Sequence, residues 1–175
     1  MSNYHFDTLA VHAGATPDPT TKARITPIYQ TSSFVFDGVD HAARLFGLQE
    51  FGNIYARIGN PTADVLEARV AALEGGTAAL SASSGHAAQL LAFHVLMDSG
   101  DEFLAAKKLY GGSITQFGHS FRKMGWNVHF VDSDDPENFR KALTPRTKAI
   151  FVESLANPGG VVSDIEAIAK IAHEA

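Results

Sequence analysis

The chain has 175 residues, 14 Lys and Arg against 19 Asp and Glu, a formal net charge of −5 and no cysteine. Hydrophobic residues at 45% and charged ones at 19% give a folded globular composition, and the lack of cysteine excludes disulfides, thiolate metal sites and cysteine nucleophiles together. An acidic balance without a basic cluster argues against a nucleic-acid partner, and no apolar run approaches the ~18 residues of a membrane span. The opening residues Met1 to Asp7 lack the basic-then-apolar order of a secretory signal, so a soluble, cytoplasmic protein is expected. A chain of this length buries roughly 70% of its unfolded surface, enough for one core.

To about Tyr55 the chain reads as an extended arm with local turns, because Pro17, Pro19 and Pro27 deny a helix its hydrogen bonds. Within it, Gln30 to Phe36 is a short β-like run and His41 to Leu48 a short helix. Ile25, Ile28, Tyr29, Phe34, Val35 and Phe36 are too apolar to stay solvated, so the arm is expected to pack on something, a partner subunit being a candidate. From Pro61-Thr62 a helix is predicted through Val65, Leu66, Arg69, Val70 and Leu73, stopped by Gly75-Gly76. Thr77 to Ser83 is a small-residue strand candidate, and Gly85 leads into an apolar helix ending at Ser99-Gly100. Strands are predicted at Glu102 to Ala106, Asn127 to Val131 and Lys148 to Val152. Helices are predicted at Ser113 to Met124, from Asp135-Pro136-Glu137, and at Asp164 to Ala175. Four strand–helix alternations argue for an α/β fold with a mostly parallel sheet. The last helix reaches Ala175 where a next strand is due, so the chain is expected to be part of a larger domain, incomplete at its C-terminus.

Open α/β sheets bind ligands at the carboxyl ends of their strands. Four strand-to-helix junctions therefore matter: Ser83-Ser84-Gly85-His86, Leu109-Tyr110-Gly111-Gly112, Asp132-Ser133-Asp134 and Glu153 to Pro158. The first offers backbone N–H groups at a helix N-terminus, suited to a phosphate, although small residues there also serve plain turn chemistry. Tyr110 is placed either to stack on a planar ligand and carry a proton or to shield the sheet edge. Glu153 and Asn157 stand where both could hydrogen-bond a heteroaromatic ring. Tyr55 and Arg57 lie two apart in what reads as an extended segment, a phenol and a guanidinium suited to phosphate oxygens or, alternatively, a surface Arg beside a packing Tyr. The sequence has no GxGxxG, Walker A loop, HExxH or GxSxG. His86 and His94, eight apart, read as packing or solvated groups, and no metal site is expected.

The runs YARIGNPT, ALEGGTAALSASSGHAA, LYGGS and ESLANPGG, in this order, resemble the Cys/Met-metabolism family of pyridoxal-phosphate enzymes. The passages VHAGATPDPTTKARITPIYQTSSFVFD and DHAARLFGLQEFGNIYARIGNPT look most like its O-acetylhomoserine sulfhydrylases (O-acetylhomoserine aminocarboxypropyltransferases). The resemblance spans essentially all 175 residues. It implies a type I, aspartate aminotransferase-like large domain, with residues 1–55 as an arm on a partner subunit and residues 56–175 as the first part of the cofactor-binding domain. It implies pyridoxal 5'-phosphate as cofactor and a transferase of methionine biosynthesis. The reaction implied is γ-replacement: O-acetylhomoserine and sulfide or methanethiol give homocysteine or methionine and acetate. Ser84, Gly85 and His86 match the phosphate cradle, and Tyr55 and Arg57 match the pair that reaches a neighbour's phosphate in a homotetramer built from dimers. Tyr110 matches the ring-stacking tyrosine and leaving-group acid, while Glu153 and Asn157 match positions near the ring. His86 is a departure, since relatives often carry Met or Gln there. The Schiff-base lysine and the acidic partner of the pyridine nitrogen match nothing in this chain, so the chain alone is expected to be inactive. Alternatives within the family are an O-succinylhomoserine sulfhydrylase, a cystathionine γ-synthase or a methionine γ-lyase, against which LFGLQEFGNIY argues; outside catalysis, the alternative is a phosphate-binding fragment.

Overall fold

A computed structural model describes residues 4–175; Met1 to Asn3, part of the segment without a secretory pattern, lie outside the described residues. The chain divides into two units, Met1–Ser81 and Ala82–Ala175.

In the first unit the arm is less extended than its prolines suggest. Helix α1, Phe6–His12, precedes the first of them, and α2 spans Val39–Phe46, starting and ending two residues before the predicted helix. The run Gln30 to Phe36 forms no strand; one bridge joins Ser33 to Tyr55, with Ala56 N donating to Ser32 O at 2.9 Å and Phe34 N to Ile54 O at 3.2 Å. Helix α3, Pro61–Glu74, has Pro at its first position and its Thr62 N–H capped by the Asn60 side chain. It ends at Gly75, whose φ of 67° is the left-handed geometry that a side chain disfavours. The Arg69 guanidinium ties this helix to Ala13 O just past α1. Thr77 to Ser83 is not a strand. Its Ala and Ser residues have weak β preference and find no ladder among the described residues, and Ser81 turns both N–H and hydroxyl to Glu67 Oε1 at 2.7 Å.

The second unit carries the sheet. Strands β1 (Glu102–Ala106), β2 (Asn127–Val131) and β3 (Thr147–Phe151) pair in parallel in the order β2-β1-β3. The observed alternation thus has three strands, not four, because the small-residue run does not join. All five β1 residues are buried, as a central parallel strand requires. Helix α4 (Gly85–Leu96) lays Phe93 on the sheet at 4.4 Å from the Phe103 ring. The helix predicted over Ser113 to Met124 is α5 (Gly111–Thr115), a π turn (Gln116–Ser120) and a 3-10 turn (Phe121–Met124). Phe103, Phe117, Phe121 and Phe139 are wholly buried and form the centre of the core, with Trp126 edge-on to Phe121. Helices α6 (Glu137–Ala142) and α7 (Ile165–Glu174) complete the unit; Asp164 caps α7 at Ala167 N, and Ile168 and Ile171 face inward.

At the amino end of β1 the buried Glu102 accepts from Thr144 Oγ1 at 2.7 Å, pairs with Arg146 and lies 3.5 Å from His129. The Thr144 bond, then Arg146, hold its carboxyl below the usual glutamate range. This network fixes the loop entering β3. No helix among the described residues is long and apolar enough to cross a membrane.

Candidate active site

Because the three strands are parallel, Ala106, Val131 and Phe151 end at one edge of the sheet, and the turns after them converge there. Tyr110 follows β1 as the N-cap of α5, and Glu153 follows β3. The Glu153 carboxylate joins the two junctions: Oε1 accepts from Tyr110 N at 2.9 Å and Oε2 from Asn157 N at 3.1 Å. Ser163 Oγ in turn donates to the Glu153 carbonyl at 2.8 Å. Both Glu153 oxygens are therefore engaged by backbone, and its visible work is to hold Tyr110 and Asn157 in register. The Asn157 side chain is left exposed.

The third member is the start of α4. Ser84 is its N-cap, extended at φ −163° and ψ 161°, with Oγ accepting from Ala87 N at 3.1 Å. The first main-chain helix bond is Ala88 N to Ser84 O. The N–H groups of Gly85 and His86 have no protein acceptor among the described residues, as expected for the first turn of a helix. A Cβ on Gly85 would meet nothing within 4 Å. The protein itself thus gives no reason for a glycine there, whereas an anion approaching two unpaired N–H groups does.

The His86 ring stacks on the Tyr110 ring, centroids 5.8 Å apart and planes 29° apart. Half of Tyr110 stays exposed. Gly112 permits this pairing: a Cβ there would sit 2.4 Å from Tyr110 Cε1 and 2.7 Å from His86 Cε1. An open hollow of about 490 Å³ lies beside the pair, lined by His86, Gly111, Gly112, Thr115, Gln116 and Ser120. A flat ligand with an anionic end fits this arrangement, its ring toward Tyr110 and its anion at the α4 N-terminus.

Gln116, which no sequence motif marks, donates its side-chain N–H to His86 O at 2.9 Å and so ties the first turn of α4 to the π turn. One sequence carries no signal for a π turn; the glycines beside Tyr110, by contrast, were visible. At the remaining junction Lys108 Nζ binds Asp134 Oδ1 at 2.5 Å, and this hydrogen bond holds the ammonium above the usual lysine range. This ion pair joins the turn after β1 to the turn after β2. No group of three or more His, Cys, Asp or Glu that could hold a metal occurs among the described residues.

Tyr55 and Arg57 belong to the first unit. The segment carrying them is a turn rather than extended: Ile58 N and Gly59 N both donate to Tyr55 O, at 2.8 and 3.1 Å. The turn nonetheless puts the Arg57 guanidinium 5.7 Å from the Tyr55 ring centre. Both side chains are exposed, and neither has a hydrogen-bond partner among the described residues.

The family model for Cys/Met metabolism PLP-dependent enzymes matches residues 7–175. An O-acetyl-L-homoserine sulfhydrylase of Leptospira meyeri is 54% identical over 172 residues, covering 98% of this chain and 39% of that protein. A homocysteine/cysteine synthase of Saccharomyces cerevisiae is 47% identical over 97% of this chain and 39% of its own length. Among solved structures, a protein of Campylobacter jejuni assigned as an O-acetylhomoserine (thiol)-lyase superposes with a TM-score of 0.89 at 41% identity. The match covers 98% of this chain and 42% of that one, which carries N'-pyridoxyl-lysine-5'-monophosphate at its position 205. A cystathionine gamma-lyase of Lactobacillus plantarum gives 0.85 at 33% identity, over 98% and 42%. The fold is therefore that of the type I enzymes. The chain spans about two fifths of the length of the relatives it matches.

Proposed function

We propose, from the premise that this chain belongs to the Cys/Met-metabolism family of PLP-dependent enzymes, that it supplies the phosphate and ring-stacking half of an O-acetylhomoserine sulfhydrylase. The reaction would convert O-acetylhomoserine and sulfide, or methanethiol, to homocysteine or methionine and acetate. The observation that carries this reading is the meeting of the unpaired Gly85 and His86 N–H groups with the Tyr110 ring at one strand edge. The identities of 54% to an O-acetyl-L-homoserine sulfhydrylase and 47% to a homocysteine/cysteine synthase, above the 33% to the cystathionine enzyme, favour this activity over its relatives.

Pyridoxal phosphate, when bound, supplies an electron sink for carbanions on the substrate. This chain's residues would hold and orient it. Gly85 N–H and His86 N–H would bind the phosphate oxygens, with the α4 dipole behind them. Ser84 Oγ accepts from Ala87 N and keeps its O–H to donate to the same anion. Tyr110, half exposed, would cover one face of the ring and exclude water there, and its Oη would hold the proton passed to the departing acetate oxygen. Glu153 fixes the Tyr110 backbone, which sets where that hydroxyl lies, and the exposed Asn157 amide would be available to hydrogen-bond the ring. Tyr55 and Arg57 offer a phenol and a guanidinium to the phosphate held by a neighbouring subunit, so that sites are shared within a homotetramer. The exposed Ile25, Ile28, Val35 and Phe51 support the arm as an interface. The cytoplasm is the compartment assigned in the same proposal. The Schiff-base lysine is assigned to a part of the enzyme outside this chain, which by itself would not turn over.

The test is turnover by the full protein of O-acetylhomoserine against O-succinylhomoserine with sulfide, followed as homocysteine. Preference for the acetyl ester is expected; equal or preferential use of the succinyl ester would overturn the assignment.

A further inference from the structure

The Tyr55–Arg57 turn is held from both sides by the arm. On one side are the Ala56 N to Ser32 O and Phe34 N to Ile54 O bonds. On the other, Thr62 Oγ1 donates to Pro27 O and accepts from Tyr29 N, both at 2.9 Å, while Asn60 Nδ2 donates to Tyr29 O at 2.9 Å. Both main-chain polar groups of Tyr29 are thus taken by side chains more than thirty residues away.

The Tyr29 side chain is held as well. Its hydroxyl donates to Asp18 Oδ2 at 2.9 Å. Asp18 is buried in the turn that it closes, and Oδ1 accepts from Thr20 N, Thr21 N and Thr21 Oγ1. These bonds, that from Thr21 N foremost, keep its carboxyl below the usual aspartate range, so it is an ionised anchor at neutral pH. A buried carboxylate and a saturated tyrosine cost desolvation and ordering. Yet Tyr55 and Arg57, between the two clamps, are exposed, and neither side chain has a hydrogen-bond partner among the described residues.

We infer that Asp18, Tyr29, Asn60 and Thr62 are positioning residues that lock the Tyr55–Arg57 turn in the geometry with which it meets a phosphate. This rests on the phosphate role proposed for Tyr55 and Arg57. An unclamped turn would have to be ordered at the moment of binding, and part of the binding free energy would be lost to that ordering.

Thr62→Val in the full protein removes the hydroxyl at constant shape and leaves the α3 cap from Asn60 in place. Amide hydrogen exchange at Ala56, Ile58 and Gly59 is expected to quicken about tenfold. The affinity for pyridoxal 5'-phosphate, by titration calorimetry, is expected to fall about three- to tenfold, the share of the two lost hydrogen bonds that would go into ordering the turn on binding. Thr62→Ser should restore both. Ala71→Gly, a helix-weakening change further along α3, should lower Tm without either effect. Unchanged exchange in Thr62→Val, or equal loss of affinity in Ala71→Gly, overturns the inference. If Arg57→Ala loses affinity and Thr62→Val does not, the positioning role falls and the phosphate role stands. If Arg57→Ala binds as tightly as the parent, the phosphate role falls and the positioning role falls with it.

Discussion

Gly112→Ala should separate stability from cofactor binding. The new Cβ would lie 2.4 Å from Tyr110 Cε1 and 2.7 Å from His86 Cε1, about 1 Å inside ordinary contact. Both obstacles are the tips of exposed rings, so they can swing away at little cost to the fold. The residue lies in α5 and φ is not positive, so alanine also removes glycine's backbone entropy, a gain of up to ~1 kcal/mol. The stack of His86 on Tyr110 cannot survive an added methyl between the rings. An aromatic pair is worth about 0.5–1.5 kcal/mol beyond its area, and the displaced Tyr110 would lose a comparable contact with a bound ring. Pyridoxal 5'-phosphate affinity should therefore drop roughly three- to tenfold, while Tm stays close to the parent's because the glycine gain offsets the lost stack. Calorimetric titration and thermal unfolding of the same samples read the two quantities. Unchanged affinity, or a fall in Tm of several degrees together with the loss, would refute the reasoning.

Phe117→Ala removes a wholly buried ring that touches Phe93, Phe103, Phe121 and Phe151; a loss of about 3–5 kcal/mol is expected in denaturant unfolding of the second unit. Glu153→Gln keeps size but replaces one of two accepting oxygens by a donor facing a backbone N–H. It should cost about 1 kcal/mol and lower cofactor affinity, read by chemical denaturation and titration. Glu102 titrates below its ordinary value in the folded state, so its contribution is present above about pH 4.5 and disappears as pH falls through the lower folded value. Thr144→Val removes the bond that contributes most to this, so the acid-unfolding midpoint should move to higher pH, as followed by circular dichroism across pH 2–6.

The parts of the fold that could be read from sequence are those in which local pattern and tertiary packing agree. EFLAA and NVHFV are bounded by turn residues and appear as β1 and β2 with the expected limits. Helix α3 carries its own punctuation in Asn60, Pro61 and Gly75. Thr77 to Ser83 looks similar on paper, but a strand exists only where a neighbour completes its ladder, and five small residues give little reason to pair on their own. Helix α1 escaped because nearby prolines suggested an extended arm, although none of them lies within it. At the candidate site, the glycines and Tyr110 stood out as strand-end chemistry. What could not be read was which groups already have partners. Glu153 offers itself to a ring in sequence but binds two backbone N–H groups in the structure, and Gln116 reaches His86 O across thirty residues of sequence.

The central claim is that the first turn of α4 holds the cofactor phosphate through backbone N–H groups, and Gly85→Pro tests it. Proline at the first helical position keeps the helix, and the extended Ser84 before it is compatible with a following proline. The substitution deletes the Gly85 N–H, and its Cβ would meet nothing within 4 Å. The measurement is the affinity of the full protein for pyridoxal 5'-phosphate set against pyridoxal, which lacks the phosphate. The account predicts unchanged Tm, unchanged pyridoxal binding, and a pyridoxal 5'-phosphate affinity lower by at least about tenfold, as for one charge-assisted hydrogen bond lost. Equal affinity of parent and variant for pyridoxal 5'-phosphate would contradict it.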